Sequence, residues 1–178
     1  MLLHEGRFLR LKRDGDWEYV ERTNAAKAVV LVAVTDDQEL VVVEQFRPPV
    51  KMRVIELPAG LVGDVGDEQI AEAGRRELLE ETGYEAKNIR ALTAGPVSPG
   101  ISNEAVDFVM ATGLKKVGKG GGVDDENIQV HVIELKSLAS WLEKTRAAGT
   151  LVDPKVYVGA YFAAAAFPGG RRATRARG

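Results

Sequence analysis

The sequence predicts an α/β or α+β fold, a mixed sheet with helices on both sides. Three observations carry that prediction. Short β-branched runs recur in the first third of the chain and again from residue 89. A helical apolar period interrupts them over 67–82. Two further helical stretches, 138–149 and 154–167, close the chain. With 178 residues, 45% of them apolar, there is enough material for one domain with a real core.

The elements follow in order. "RFLRLKRDGDWEYVER" alternates on both sides of Asp14-Gly15, a strong turn signal, and predicts a hairpin within an N-terminal unit over 1–24. "KAVVLVAV" (27–34) and "ELVVVEQF" (39–46) are expected as adjacent strands. "RVIELPAG" (53–60) reads as a short strand stopped by Pro58 and Gly60. A helix is expected over 67–82, with Asp67 as N-cap, an apolar stripe through Ile70, Gly74 and Leu78 joined by Ala71 and Leu79, and Gly83 as its left-handed terminator. Strands resume at 89–94, 105–112 and 128–135, with a glycine-rich then acidic loop at 118–127. Pro154 stands at the first turn of the last helix, behind Asp153. The main domain is expected over 25–167, and a flexible basic tail over 168–178.

Composition narrows the function classes. A net charge of −2 gives no global field toward nucleic acid or anionic lipid, so neither is expected as a partner. No cysteine is present, which removes disulfides and thiolate metal sites. The N-terminus lacks a signal-peptide pattern and no apolar run is long enough to cross a membrane. A cytoplasmic location is expected.

The chemistry is concentrated in "GRRELLEETGY". Glu77, Glu80 and Glu81 fall at helical spacing on one side, at the end of the helix where the macrodipole also disfavours negative charge. Arg76 reaches only part of this cluster. A solvated acidic face is the ordinary meaning of such a run. The stacked unfavourable terms point instead to a compensating hard cation, Mg²⁺ or Mn²⁺, bound by oxygen ligands and serving a phosphate-bearing substrate.

The longer stretch "GDEQIAEAGRRELLEETGY" resembles the Nudix box, G-x5-E-x7-R-E-U-x-E-E-x-G-U. The match is complete at Glu68, Arg76, Glu77, Leu78, Glu80, Glu81, Gly83 and Tyr84. It departs at the front, where Gly60 lies two residues too far from Glu68. The resemblance implies an α/β/α sandwich and a hydrolase of nucleoside diphosphates linked to another group. It makes Glu77, Glu80 and Glu81 metal ligands, with the Ala59 carbonyl as a further oxygen, and pairs Glu68 with Arg76. "EQFRPP", "ELPAGL" and "SPGISNE" are similar to segments of the ADP-ribose and nucleotide-sugar pyrophosphatase branch, including Pro99.

Within that branch Arg47 would contact the diphosphate; by itself it is also a loop arginine before a Pro-Pro turn. Glu104 would orient the ligand or the sugar, or is a surface residue at a strand start. Glu126, with Asp125 in reserve, resembles the general base that activates water, delivered by a loop that Gly120, Gly121 and Gly122 would let swing. Asp153 is a natural N-cap, although nucleotide-sugar members carry an Asp-x-Lys there. Trp17 and Tyr19 would stack on a base or form a dimer seam. His131 should face away from Val130 and Val132 and is assigned no metal. The branch pairs subunits through its N-terminal sheet, so a homodimer is expected. The rival reading is a nucleotide-binding sensor module without turnover.

Overall fold

The computed structural model describes residues 1–24, 27–63, 68–123 and 127–168. At its centre lies β4 (Lys27–Ala33), whose apolar residues run without alternation because both its faces are covered. Val29, Leu31 and Ala33 join one core cluster; Val30, Val32 and Val34 join the other. β4 pairs antiparallel with β7 (Ala59–Val62) and in parallel with β9 (Ala105–Lys116), which carries β8 (Tyr84–Pro96) on its far side, giving the order β7-β4-β9-β8. A second sheet has the order β10-β5-β6-β11, built from β5 (Glu39–Arg47), β6 (Met52–Glu56), β10 (Gln129–Glu134) and β11 (Leu151–Val152).

α1 (Ile70–Thr82) places Ala73 and Leu78 against Val29, Leu31, Ala33 and Val41. Leu78 is fully buried, worth about 1.5–3 kcal/mol in apolar transfer. On the other side α2 (Leu138–Ala147) and α3 (Pro154–Ala166) contribute Leu138, Leu142, Val156 and Ala163 to the cluster with Val30, Val32, Val42 and Ile55. This is the α/β/α arrangement with a mixed sheet that the sequence predicts.

Several details differ. β4 and β5, expected as neighbours, belong to different sheets and share an isolated bridge, Val34 with Leu40. The reason is that both edges of β4 are already taken by β7 and β9. β6 ends ahead of Pro58 as expected, but Gly60 lies inside a further strand, β7, rather than stopping one; Leu57-Pro58 carries the chain from the second sheet to the first, and the Pro58 carbonyl accepts from Leu31 N–H at 2.8 Å. α1 begins at Ile70 with Gln69 as its N-cap residue, whose N–H donates to the Glu72 carboxylate at 3.1 Å. The expected cap, Asp67, lies outside the described residues. The N-terminal unit is three-stranded, because β1 (Leu2–Glu5) adds to the hairpin of β2 (Leu9–Asp14) and β3 (Trp17–Arg22). Its turn is Gly15-Asp16, one residue later than expected, with Asp14 opposite Trp17. Gly15 has φ 55°, the positive value that the first central position of a II′-type hairpin turn needs.

The expected basic tail lies, from residue 169 onward, outside the described residues. Among the described residues no helix is long and apolar enough to cross a membrane.

Candidate active site

The site is built where α1 crosses the start of β7. β7 is antiparallel to β4 and places Gly60 opposite Val29. Gly60 is open to the helix: a Cβ there would lie 1.8 Å from Glu77 Cδ and 2.0 Å from its Oε1. The carboxylate of Glu77 therefore rests on bare backbone. One turn later Glu81, only 6% exposed, accepts from Ala59 N–H at 3.1 Å. Ala59 and Gly60 thus seat two of the three acids, and the β6–β7 sheet crossing brings them there.

Arg76 holds the rest together. It donates to Glu68 at 3.1 Å, to Glu77 at 2.7 Å and to Glu80 at 3.3 Å, and reaches the Leu61 carbonyl at 3.3 Å. The bond to Glu68, set against burial and joined by Glu77, raises the guanidinium pKa above its ordinary value. Despite the changed spacing before it, Glu68 sits against Arg76. Among the described residues no three acidic or histidine side chains are gathered as a ready metal cage. Glu77 and Glu80 instead share one cation, the Arg76 Nη1. The donor set still fits a hard divalent ion: three carboxylates, one buried and one on a bare glycine, around a cationic group that already bridges two of them.

The end of α1 is enclosed by the connection after β9. Gly83 closes the helix with φ 69° and donates to the Leu79 carbonyl at 2.8 Å. Gly122 N–H donates to the Glu80 carbonyl at 3.1 Å and Gly121 N–H to the Glu81 carbonyl at 2.9 Å. Lys116 Nζ donates to the Thr82 carbonyl at 2.5 Å, and Val117 N–H to the Gly83 carbonyl at 2.9 Å. Of the three glycines expected as a swinging hinge, Gly121 and Gly122 are hydrogen-bonded to the end of α1, and Gly120 lies against its backbone. Glu126 and Asp125 lie outside the described residues, beyond this anchored part.

Arg47 belongs to the same side of the molecule. Val41 packs with Leu78, and strand alternation sends Gln45 and Arg47 to that face. Arg47 donates to Glu56 at 2.7 and 3.0 Å, and Gln45 to Glu56 at 2.8 Å. The Arg47 side chain remains 47% exposed. Glu104 is paired with Arg22 of β3, and Val20 N–H donates to the Ile101 carbonyl at 2.8 Å, so the N-terminal sheet docks on the 98–104 segment. Trp17 and Tyr19 face Pro96, Pro99 and Ser102 across a cleft of about 410 Å³ that no residue of α1 lines. Trp17 is 66% exposed.

Asp153 caps α3, accepting from Lys155 N–H at 2.7 Å. His131 faces away from Val130 and Val132, as alternation requires, and lies 2.9 Å from Glu44 beside Trp141. Burial would raise the Glu44 carboxyl, but hydrogen bonds from Arg53 and His131 outweigh it and hold it below its ordinary value. Sequence reasoning missed the partners Glu56 and Arg22 and the tie from Lys116. The signal available for the tie was the run GKGGG, read only for its freedom.

A Nudix domain model matches residues 25–152, most of the chain. The chain belongs to the Nudix family. The match takes in Glu68, Arg76 and the three acids of α1. Among curated relatives, the methanol dehydrogenase activator of Bacillus methanolicus is 36% identical over 61% of this chain and 57% of its own length. The ADP-ribose pyrophosphatase of Bacillus subtilis (strain 168) is 37% identical over 65% of this chain and 62% of its own. The GDP-mannose pyrophosphatase of Klebsiella pneumoniae subsp. pneumoniae is 36% identical over 71% and 63% respectively. The matches span less than two thirds of each of these relatives. A crystal structure of an ADP compounds hydrolase superposes with a TM-score of 0.69 over 96% of this chain and 91% of that one, at 20% identity, and shows the shared fold.

Proposed function

We propose that this Nudix protein hydrolyses the diphosphate of ADP-ribose or a related nucleoside diphosphate sugar, releasing a nucleoside monophosphate and a sugar phosphate. One observation carries the reading: Glu77 and Glu81 are seated on the backbone of Ala59 and Gly60, with Glu80 beside them, in a Nudix box whose Arg76 ties the acids to Glu68. Relatives named for ADP-ribose and GDP-mannose hydrolysis support the substrate class.

Glu77, Glu80, Glu81 and the Ala59 carbonyl are the groups that would hold the ion, Mg²⁺ or Mn²⁺. When bound, it supplies charge neutralisation of the diphosphate and a lowered pKa for the attacking water. The chain's own residues do the rest. Arg47 presents its planar fork to the diphosphate after leaving Glu56. Glu126 accepts the proton as the water oxygen bonds to phosphorus and the bridging P–O bond breaks, the electron pair staying on the leaving phosphate. Glu104, braced by Arg22, orients the ligand. Trp17 and Tyr19 offer ring faces to the base or to a second subunit, and the N-terminal sheet pairs two chains into a homodimer. The protein works in the cytoplasm and does not engage nucleic acid or membrane.

Coupled phosphatase release of inorganic phosphate from ADP-ribose and GDP-mannose tests this, with and without Mg²⁺. Metal-dependent release from either is expected. Tight nucleotide binding without release would replace the reading with that of a sensor module. Light scattering after gel filtration should give twice the chain mass; a monomer would remove the dimer.

A further inference from the structure

We propose that the 116–122 segment is a positioning clasp for the acids of α1, with Gly120 its essential residue and Lys116 its outer tie. The proposal rests on the metal-hydrolase reading of that site. It goes beyond that reading by giving a fixed structural task to a loop whose glycines suggest only mobility.

Four consecutive carbonyls at the end of α1 would be left without partners by the helix itself. The segment supplies a donor to each and two to the last: Gly122 N–H for Glu80, Gly121 N–H for Glu81, Lys116 Nζ for Thr82, and the Val117 and Gly118 N–H groups for Gly83. Two of these carbonyls belong to Glu80 and Glu81, so the backbone of both acids is fixed from outside the helix. Such contact needs two bare backbones in register. A Cβ on Gly120 would lie 2.4 Å from Thr82 C, 2.7 Å from Gly83 N and 2.8 Å from Glu81 O. All three are main-chain atoms, which cannot swing aside as a side chain can. Gly120 also has φ 69°. The neighbouring Gly118 is different: a Cβ there meets only Gly83 Cα, at 3.8 Å, in ordinary contact.

A helix end left loose would let the two carboxylates wander, and an ion would have to order them at its own expense. Removing a neighbouring positive charge acts in the opposite direction, since it favours cation binding. The two effects of losing Lys116 therefore differ in sign, which makes the variant informative.

The test uses the full chain and Mn²⁺ alone, followed by electron paramagnetic resonance, with amide exchange of Gly121 and Gly122 and a split of kcat from KM. Gly120→Ala should weaken Mn²⁺ binding roughly ten- to a hundredfold, the range for outer partners of metal ligands. It should lower kcat with KM nearly unchanged and speed both amide exchanges. Gly118→Ala should behave as the unaltered protein. Lys116→Met should weaken Mn²⁺ in the same direction, and Lys116→Arg should restore it. Folded Gly120→Ala with unchanged Mn²⁺ affinity would overturn the proposal, as would tighter binding in Lys116→Met. If Gly120→Ala fails to fold, the lysine pair decides. If the unaltered protein bound no Mn²⁺, the metal reading and the positioning role would both fall, while amide exchange would still show whether the clasp exists. If it bound Mn²⁺ but hydrolysed no diphosphate, the substrate reading alone would fall.

Discussion

Gly60→Ala is the sharpest perturbation of the site, because it adds one carbon and removes nothing. That carbon would stand 1.8 Å from Glu77 Cδ and 2.4 Å from Cγ, whereas ordinary contact begins near 3.4 Å. The carboxylate must therefore retreat by about 1.6 Å, the difference between those distances. The obstacle is the far end of a flexible side chain, and Gly60 has no positive φ, so the fold should absorb the change. Its cost to stability is expected within about 1 kcal/mol. A misplacement of about 1 Å can cost on the order of a hundredfold in rate. Thermal melting, Mn²⁺ titration and diphosphate hydrolysis measured together should show a nearly unchanged midpoint, weakened ion binding and kcat down about a hundredfold. Wild-type turnover with wild-type Mn²⁺ affinity would refute the idea that bare backbone at Gly60 is what seats Glu77.

Glu81→Gln keeps an acceptor for Ala59 N–H but loses the charge, so turnover should fall by about a hundredfold or more with the circular-dichroism spectrum intact. Mg²⁺ should raise the melting point by linkage, by the equivalent of about 2.7 kcal/mol at a hundred times its Kd, and a chelator should reverse the shift. Glu44 titrates below its ordinary value in the fold, so its contribution is present above the usual carboxylate range and is lost as pH falls through the depressed value. Glu44→Gln should accordingly lower the urea midpoint near pH 7 and narrow the gap to the unaltered protein near about pH 3. An equal gap at both would show that the Arg53 and His131 contacts act without charge.

The elements were legible because their periods differ: apolar runs for the strands, a stripe through Ile70, Gly74 and Leu78 for the helix, although Ala71 and Leu79, expected to join that stripe, are exposed and Ala73 is buried instead. Pairing was not. "KAVVLVAV" and "ELVVVEQF" are equally suited to lie side by side, and nothing local says that β7 and β9 will claim both edges of β4 first. β1 was missed because "LLHE" is exposed throughout and pairs along β2 without sending a side chain into the core. At the site, the acids were legible from spacing along one helix. Their partners were not: Glu104 finds Arg22 from 82 positions earlier, and Glu80 finds the N–H of Gly122. Glycine shows a reader its freedom, whereas here its lack of bulk matters more.

Parallel pairing sets β4 against β9, Lys27 opposite Ala105, so the sheet beneath α1 closes only after the chain has run well past the acidic helix. Such distant contacts form slowly. Until that loop closes, the three glutamates of α1 have neither a complete floor nor the tether from 116–122, so the ordered cluster is expected only late in folding. Refolding followed by Mn²⁺ uptake should lag behind the gain of helical signal by the time this long loop takes to close.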